Sequence, residues 1–132
     1  MGEINLLAIF LAAAAFFAVG AIWYSALFGK IWQREVGMED ADIQSGNMLL
    51  IFGLCFAFEL LIATVLAHQF AMTGAGDRAI MMISIGFAIG VMVPAMGINY
   101  LFQRKSGLLF AIDSGHFIVG MAAMGGVFTL FY

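Results

Sequence analysis

Long, uninterrupted runs of apolar residues dominate the chain and are separated by short polar stretches. Four of these runs are long enough to cross roughly 30 Å of hydrocarbon, which takes about 20 helical residues. Their bounds are predicted at residues 4–28, 47–71, 79–102 and 107–132. The runs lack the apolar and polar alternation that a membrane β-barrel needs, so helices fit best. The pattern therefore predicts an all-α, integral membrane four-helix bundle with a single transmembrane domain.

The composition supports a membrane location and excludes several classes of function. Apolar residues make up 64% of the 132-residue chain and charged residues 10%, against roughly 45–50% and about 25% in soluble proteins. The net charge is -3 and no basic stripe is present, so nucleic acid is not an expected partner. The single cysteine, Cys55, allows no intrachain disulfide. The lipid bilayer is the partner that this composition implies.

The few basic residues predict the orientation of the chain. Four of the five Lys and Arg residues lie in the loop 29–46 and the turn 103–106, whereas the opposite side has only Arg78. Because Lys and Arg concentrate in cytoplasmic loops, the chain is predicted in a bacterial inner membrane with its N- and C-termini outside. The side chains predicted to anchor helix ends at the membrane surface are Trp23, Lys30, Trp32, Tyr100 and Arg104.

Ionisable residues inside the predicted spans are the candidates for chemistry, because such groups are costly in hydrocarbon. Asp113 and His116 lie three residues apart and share one face of the fourth helix. Glu59 lies roughly 18 Å into its span and the pair roughly 9 to 14 Å into theirs, at about 1.5 Å per residue. Asn99 approaches the same half of the membrane from the third helix. A polar cluster of Asp113, His116, Asn99, Tyr24 and Glu59 is therefore predicted in the inner half of the bundle.

Two interpretations of this cluster stay open. Asp113 and His116 either satisfy each other and hydrogen-bond Asn99 or Tyr24 as interhelical contacts, or they form a site for a ligand, a proton or a metal. Glu59 has only apolar neighbours in sequence, which disfavour its charged form. Glu59 is therefore expected either to take up and release protons in a proton-coupled carrier or to form a hydrogen bond with a neighbouring helix or subunit.

Other chemistry has little support in the sequence. His68 lies nine residues after Glu59, which rotates it to the opposite helix face near the interface, where it is expected to meet water. Asp113, His116 and Glu59 do not have the spacing of a known metal motif, so no metal and no cofactor is predicted. No nucleophile motif or phosphate loop indicates an enzyme, and a metal-dependent membrane enzyme is the weakest alternative. The acidic segment 38–42 is expected to begin a short, solvated surface helix.

Small residues and one proline predict features of helix packing. Pro94 should bend the third helix and free the carbonyl of Gly90. Gly86 and Gly90 form a G-x-x-x-G motif, which suggests contact between helices. Gly120 continues the face of Asp113 and should let a neighbouring helix come close.

Three motifs carry a resemblance to a known family: WYSALFGK, NYLFQRK and IDSGH. With the Ala-rich first helix and GMEDAD, they resemble the bacterial membrane family called domain of unknown function 1761 over nearly the whole chain. The resemblance implies four transmembrane helices but no established activity, substrate or cofactor. Ala26 stands where this family often has proline, so the usual proline turn is not expected here. Glu59 and His68 belong to no recognised motif, and the positions that look like family motif are Trp23, Tyr24, Ser25, Phe28, Gly29, Lys30, Asn99, Tyr100, Asp113 and His116.

The function predicted from these observations is a small carrier or ligand-binding membrane protein with a polar site in the inner half of the bundle. Four helices alone enclose little volume, so a homo-oligomer is expected. The alternative is a structural or accessory subunit that packs with other membrane subunits into a larger complex. The sparse loops and the small-residue helix faces motivate this alternative.

Overall fold

The computed structural model describes residues 2–132, and within that range the chain folds into helices joined by short connections. Four helices are each long and apolar enough to cross a membrane, which confirms the predicted all-α membrane fold. The fourth apolar run, expected to be helical to residue 132, ends its regular helix earlier and finishes in a turn. In chain order the helices are α1 (Leu6–Leu27), α2 (Gly29–Val36), α3 (Asp40–Ser45), α4 (Met48–Thr73), α5 (Asp77–Phe102) and α6 (Gly107–Phe128).

Local sequence sets where these helices begin and end. The side chains of Asn5, Asn47 and Ser106 accept backbone N–H bonds at the starts of α1, α4 and α6, at 3.0 to 3.1 Å. These caps satisfy amides that have no partner within the helix. Gly37 and Gly74 end α2 and α4 with positive φ angles of 74° and 61°, a conformation that glycine adopts without steric cost.

The long helices close around a common core only at the end opposite α2 and α3. There α1 packs on α4 and α6, and α5 packs on α6. The core contains Phe16, Phe70, Phe128, Ile80 and Met124, one or more from each long helix. We call this end the closed end, and we call the end that carries α2 and α3 the loop end.

Helix α4 separates from the rest of the protein toward the loop end. Between Leu49 and Phe58 its residues are exposed except for the half-buried Phe56, whereas Glu59 and Ala63, farther along the helix, are buried. Apolar side chains such as Leu49, 87% exposed, face outward and suit a lipid environment. The separation leaves space between α4 and the pair α1 and α6.

Glycines allow α6 to approach its neighbours closely. A Cβ atom at Gly120 would lie 2.7 Å from the Phe16 ring of α1, and one at Gly125 would lie 2.7 Å from Ser84 Oγ of α5. Gly120 therefore provides the close approach expected of it, although the neighbour is an aromatic ring rather than a backbone. Small residues serve this purpose where helices pack in membranes.

Two wide, π-helical turns interrupt the long helices. One covers Ala88–Met92 in α5 and ends two residues before Pro94. It accommodates the break in the regular helix that this proline predicts. A Cβ atom added at Gly86 or at Gly90 would meet nothing within 4 Å, so neither glycine packs against another helix within residues 2–132. The other π-helical turn covers Trp23–Leu27 at the end of α1. It contains Ala26, which stands where the family often has proline, so the chain departs from a regular helix here without a proline.

Candidate functional site

A cavity of about 750 Å³ lies at the loop end, where α4 separates from α1 and α6. We call it the first cavity. Residues of α2 and α3 also line it, with Lys30 and Asp42 on that side and Trp32 beside Tyr24. Its volume falls within the roughly 300–1,000 Å³ of small-molecule sites. Most of its lining is apolar, with a few polar groups, which is the usual composition of a ligand pocket.

Asp113 lies at this cavity and joins three long helices. Tyr24 Oη of α1 donates a hydrogen bond to Asp113 Oδ1 at 2.5 Å, and Tyr100 Oη of α5 donates to Asp113 Oδ2. The carboxyl is 7% exposed, and within residues 2–132 no Lys or Arg forms an ion pair with it. Two phenol donors therefore take the place of a cation, and they fix α1 and α5 to α6.

Two consecutive residues of the π-helical turn in α1 bond to the same neighbouring helix. Trp23 donates its indole N–H to the Ile112 carbonyl at 2.9 Å, while Tyr24 bonds the next residue of α6. A regular helix would rotate neighbouring side chains by about 100°. A wide turn changes that rotation, and such turns are frequent at functional sites. Gly115 makes room for the indole, since a Cβ there would lie 2.8 Å from the Trp23 ring.

His116 is buried in the first cavity's wall and lacks a polar partner. Its ring lies among Phe16, Tyr24 and Phe117, with centroid distances of 5.2, 4.9 and 5.1 Å. It is 9% exposed, and neither ring nitrogen has a hydrogen-bond partner within residues 2–132. The predicted contact between Asp113 and His116 is therefore wrong, whereas the hydrogen bond to Tyr24 that the same interpretation included is present, with Tyr100 as a second donor.

Gly20 of α1 creates the space that the His116 ring occupies. A Cβ atom at this position would lie 2.9 Å from His116 Nε2. Because three aromatic rings surround the imidazole, it has little freedom to move away. The sequence contains no pattern that singles out Gly20, which lies in a run of apolar and small residues.

A second cavity of about 510 Å³ adjoins the first and contains Glu59. Glu59 is 8% exposed, and its Oε2 atom has no hydrogen-bond partner within residues 2–132. The two cavities share five lining residues and therefore lie side by side: Tyr24, Ser25, Phe52, Cys55 and His116. Ser114 Oγ is also buried without a partner within the same range, but Ser114 lines neither cavity.

The structure brings together four of the five residues of the predicted polar cluster. Tyr24, Asp113 and His116 line the first cavity, and Glu59 lines the second. Asn99 is exposed and lines neither cavity, so its place in the predicted cluster is corrected. The adjacent Tyr100 bonds Asp113 instead, although the sequence indicated it as a surface anchor and a family-motif position and not as a member of the cluster.

The remaining predicted residues lie in varied surroundings. Lys30 and Trp32 line the first cavity in addition to any role as anchors. Arg104 is exposed in the connection before α6, with a φ of 55°, and His68 is exposed on α4, on the face opposite Glu59. Within residues 2–132, no three His, Cys, Asp or Glu side chains group as metal ligands would.

Four helices that are long and apolar enough to cross a membrane define an integral membrane protein. The family described as "Protein of unknown function (DUF1761)" matches residues 7–129, so the chain belongs to this family. No curated protein and no solved structure matches the chain. The function is therefore inferred from the geometry of the cavities.

Proposed function

We propose that the protein is a small ligand-binding membrane protein or carrier, and that the two adjoining cavities at the loop end are its binding site. One observation carries this proposal: His116 lines a cavity of about 750 Å³, and its two buried ring nitrogens have no hydrogen-bond partner within the described chain. A buried polar group without a partner costs about 1–3 kcal/mol. A ligand that bonds the imidazole would recover that free energy on binding.

The alternative, a structural or accessory subunit, accounts for only part of the polar cluster. The two tyrosines that bond Asp113 are interhelical contacts of the kind that a structural role needs. His116 and Glu59 receive no explanation from such contacts, because both imidazole nitrogens and Glu59 Oε2 lack a partner within residues 2–132. A ligand site accounts for both of these residues, so it is the better proposal.

The single cysteine offers a direct test of the proposal, because Cys55 is exposed and lines both cavities. Purified protein in detergent is treated with N-ethylmaleimide, and the rate of Cys55 alkylation is followed by intact-protein mass spectrometry. The probe is tert-butylbenzene, a neutral molecule small enough for the first cavity. Occupancy of the cavities should slow alkylation several-fold, because the probe blocks the approach to the thiol.

The control moves the cysteine to the outer face of the same helix. The double variant Cys55→Ala, Leu49→Cys places the thiol at a position that is 87% exposed and lines neither cavity. Its alkylation rate should be unchanged by tert-butylbenzene. Equal slowing at both positions would show only an effect of the probe on the micelle, and an unchanged rate at Cys55 would contradict the proposal.

A further inference from the structure

The second cavity contains an acidic side chain but, among the described residues, no basic side chain. Glu59 is its one acidic residue among those described, and no Lys or Arg of residues 2–132 lines it. In surroundings of low dielectric, a carboxylate is costly unless an opposite charge or hydrogen bonds accompany it. The described residues supply neither for Glu59 Oε2. The second cavity is therefore suited to a positive charge that comes from outside the chain.

Aromatic side chains line the same cavity. Phe17 and Phe52 meet edge to face with ring centroids 5.9 Å apart, and Tyr24 and His116 also contribute to the lining. Aromatic rings attract cations through their quadrupole, and several rings together commonly recognise quaternary ammonium groups. One carboxyl among aromatic rings is thus a chemically coherent site for an organic cation.

Other ligand classes fit this cavity less well. A bare divalent metal ion needs several oxygen or nitrogen ligands, and no suitable group of three such side chains is present within residues 2–132. An anionic ligand would be repelled by a charged Glu59 and would find no basic residue among the described lining residues. An organic cation needs only one carboxyl and apolar or aromatic contacts.

We propose that the second cavity binds the ammonium group of an organic cation, with Glu59 as its counter-ion, and that the apolar body of the ligand extends into the first cavity. This assignment rests on the proposed function, because it requires that the cavities hold a ligand. The shared lining residues place the two cavities side by side. The proposed ligand therefore has a cationic head for the second cavity and an apolar body for the first.

The test compares two probes that have nearly the same shape and differ in charge. Phenyltrimethylammonium is permanently cationic, and tert-butylbenzene is its neutral isostere. Each is assayed for protection of Cys55 from N-ethylmaleimide, at matched free aqueous concentrations. The cation should reach half-maximal protection at a concentration about tenfold lower, the size of effect expected when a cation binds in a desolvated aromatic site.

Variants then locate the charge that causes the preference. Glu59→Gln keeps the shape of the side chain, so it should still bind tert-butylbenzene but lose the preference for the cation. Retained binding of the neutral probe shows that the variant is folded. Glu3→Gln makes the same chemical change at an exposed position outside both cavities and should behave like the unaltered protein.

Each remaining outcome has a distinct meaning. If tert-butylbenzene protects as well as phenyltrimethylammonium, the cation assignment is overturned while the proposed function stands. If neither probe protects Cys55, the proposed function fails as well. If Glu59→Gln retains the preference and Asp113→Asn abolishes it, the counter-ion is in the first cavity and the assignment to Glu59 is wrong.

Discussion

The buried polar residues of this protein differ in how their hydrogen-bonding groups are satisfied. Asp113 has two phenol donors, whereas His116 and Glu59 line adjoining cavities and have buried atoms without a partner within residues 2–132. A satisfied residue holds helices together, and an unsatisfied one is free to bond a ligand. We therefore propose that Asp113 holds the helices of the site together and that His116 and Glu59 contact the ligand.

Most residues of the proposed site stand out in the sequence, but the contact of Tyr100 with Asp113 does not. Asp113, His116 and Glu59 are ionisable groups in apolar runs, so they were recognisable without a structure. Asn99 and Tyr100 are adjacent, and which of them faces Asp113 depends on the rotation of α5 about its own axis. That rotation is set by packing and by the π-helical turn at Ala88–Met92, neither of which can be derived from an apolar run.

Gly20→Ala tests the close contact that positions the imidazole. The added methyl group would lie 2.9 Å from His116 Nε2, so the ring must move against its aromatic neighbours. We expect a loss of about 1–3 kcal/mol in the free energy of unfolding, together with weaker protection of Cys55 by tert-butylbenzene. Unfolding is followed by circular dichroism in mixed micelles of dodecyl maltoside and sodium dodecyl sulfate.

Gly53→Ala is the matched control for this variant, because a Cβ atom there meets nothing within 4 Å in the described chain. It should be as stable as the unaltered protein or slightly more stable, since alanine favours helix over glycine. If the Gly20 and Gly53 variants unfold alike, the packing described around His116 is incorrect.

At the scale of helices, the separation of α4 from its neighbours creates the binding space. The four long helices and their approximate positions follow from the apolar runs, because each run must span the hydrocarbon. The separation does not follow from them, since a residue facing lipid and a residue facing another helix are equally apolar. Leu49 and Ala63 look alike in the sequence, yet one is exposed and the other buried.

Two adjacent glycines in α6 test the packing of that helix on α5. Gly125→Ala would place a methyl group 2.7 Å from Ser84 Oγ and 2.8 Å from Ser84 Cβ, whereas a Cβ at Gly126 meets nothing described within 4 Å. Because the neighbour of Gly125 is a fully buried side chain, we expect Gly125→Ala to lose about 1–3 kcal/mol. Gly126→Ala should lose none in the same unfolding assay, and equal losses would contradict the contact between α5 and α6.

At the scale of the whole molecule, the orientation in the membrane stays a prediction from the basic residues. The loop end carries four of the five Lys and Arg residues, so it is expected in the cytoplasm, with the N- and C-termini outside. In this orientation both cavities lie in the cytoplasmic half of the membrane. The expected homo-oligomer also stays a prediction, and the outward-facing Gly86 and Gly90 are suited to contact between copies.

Labelling of intact cells with a membrane-impermeant maleimide checks the orientation. In a Cys55→Ala background, Ser45→Cys places a thiol at the loop end and Gly76→Cys places one at the closed end, both at exposed positions. The Gly76 variant should be labelled from outside, and the Ser45 variant should be labelled only after the cells are lysed. The reverse pattern would place the cavities in the outer half of the membrane.

The rate of Cys55 alkylation in the presence of tert-butylbenzene tests the central claim most directly, because this thiol lines both cavities. The account predicts that the probe slows alkylation of Cys55 several-fold and leaves the cysteine of the Cys55→Ala, Leu49→Cys variant unaffected. An unchanged rate at Cys55, or the same slowing at both positions, would contradict the claim that the loop end of this protein holds a ligand-binding site.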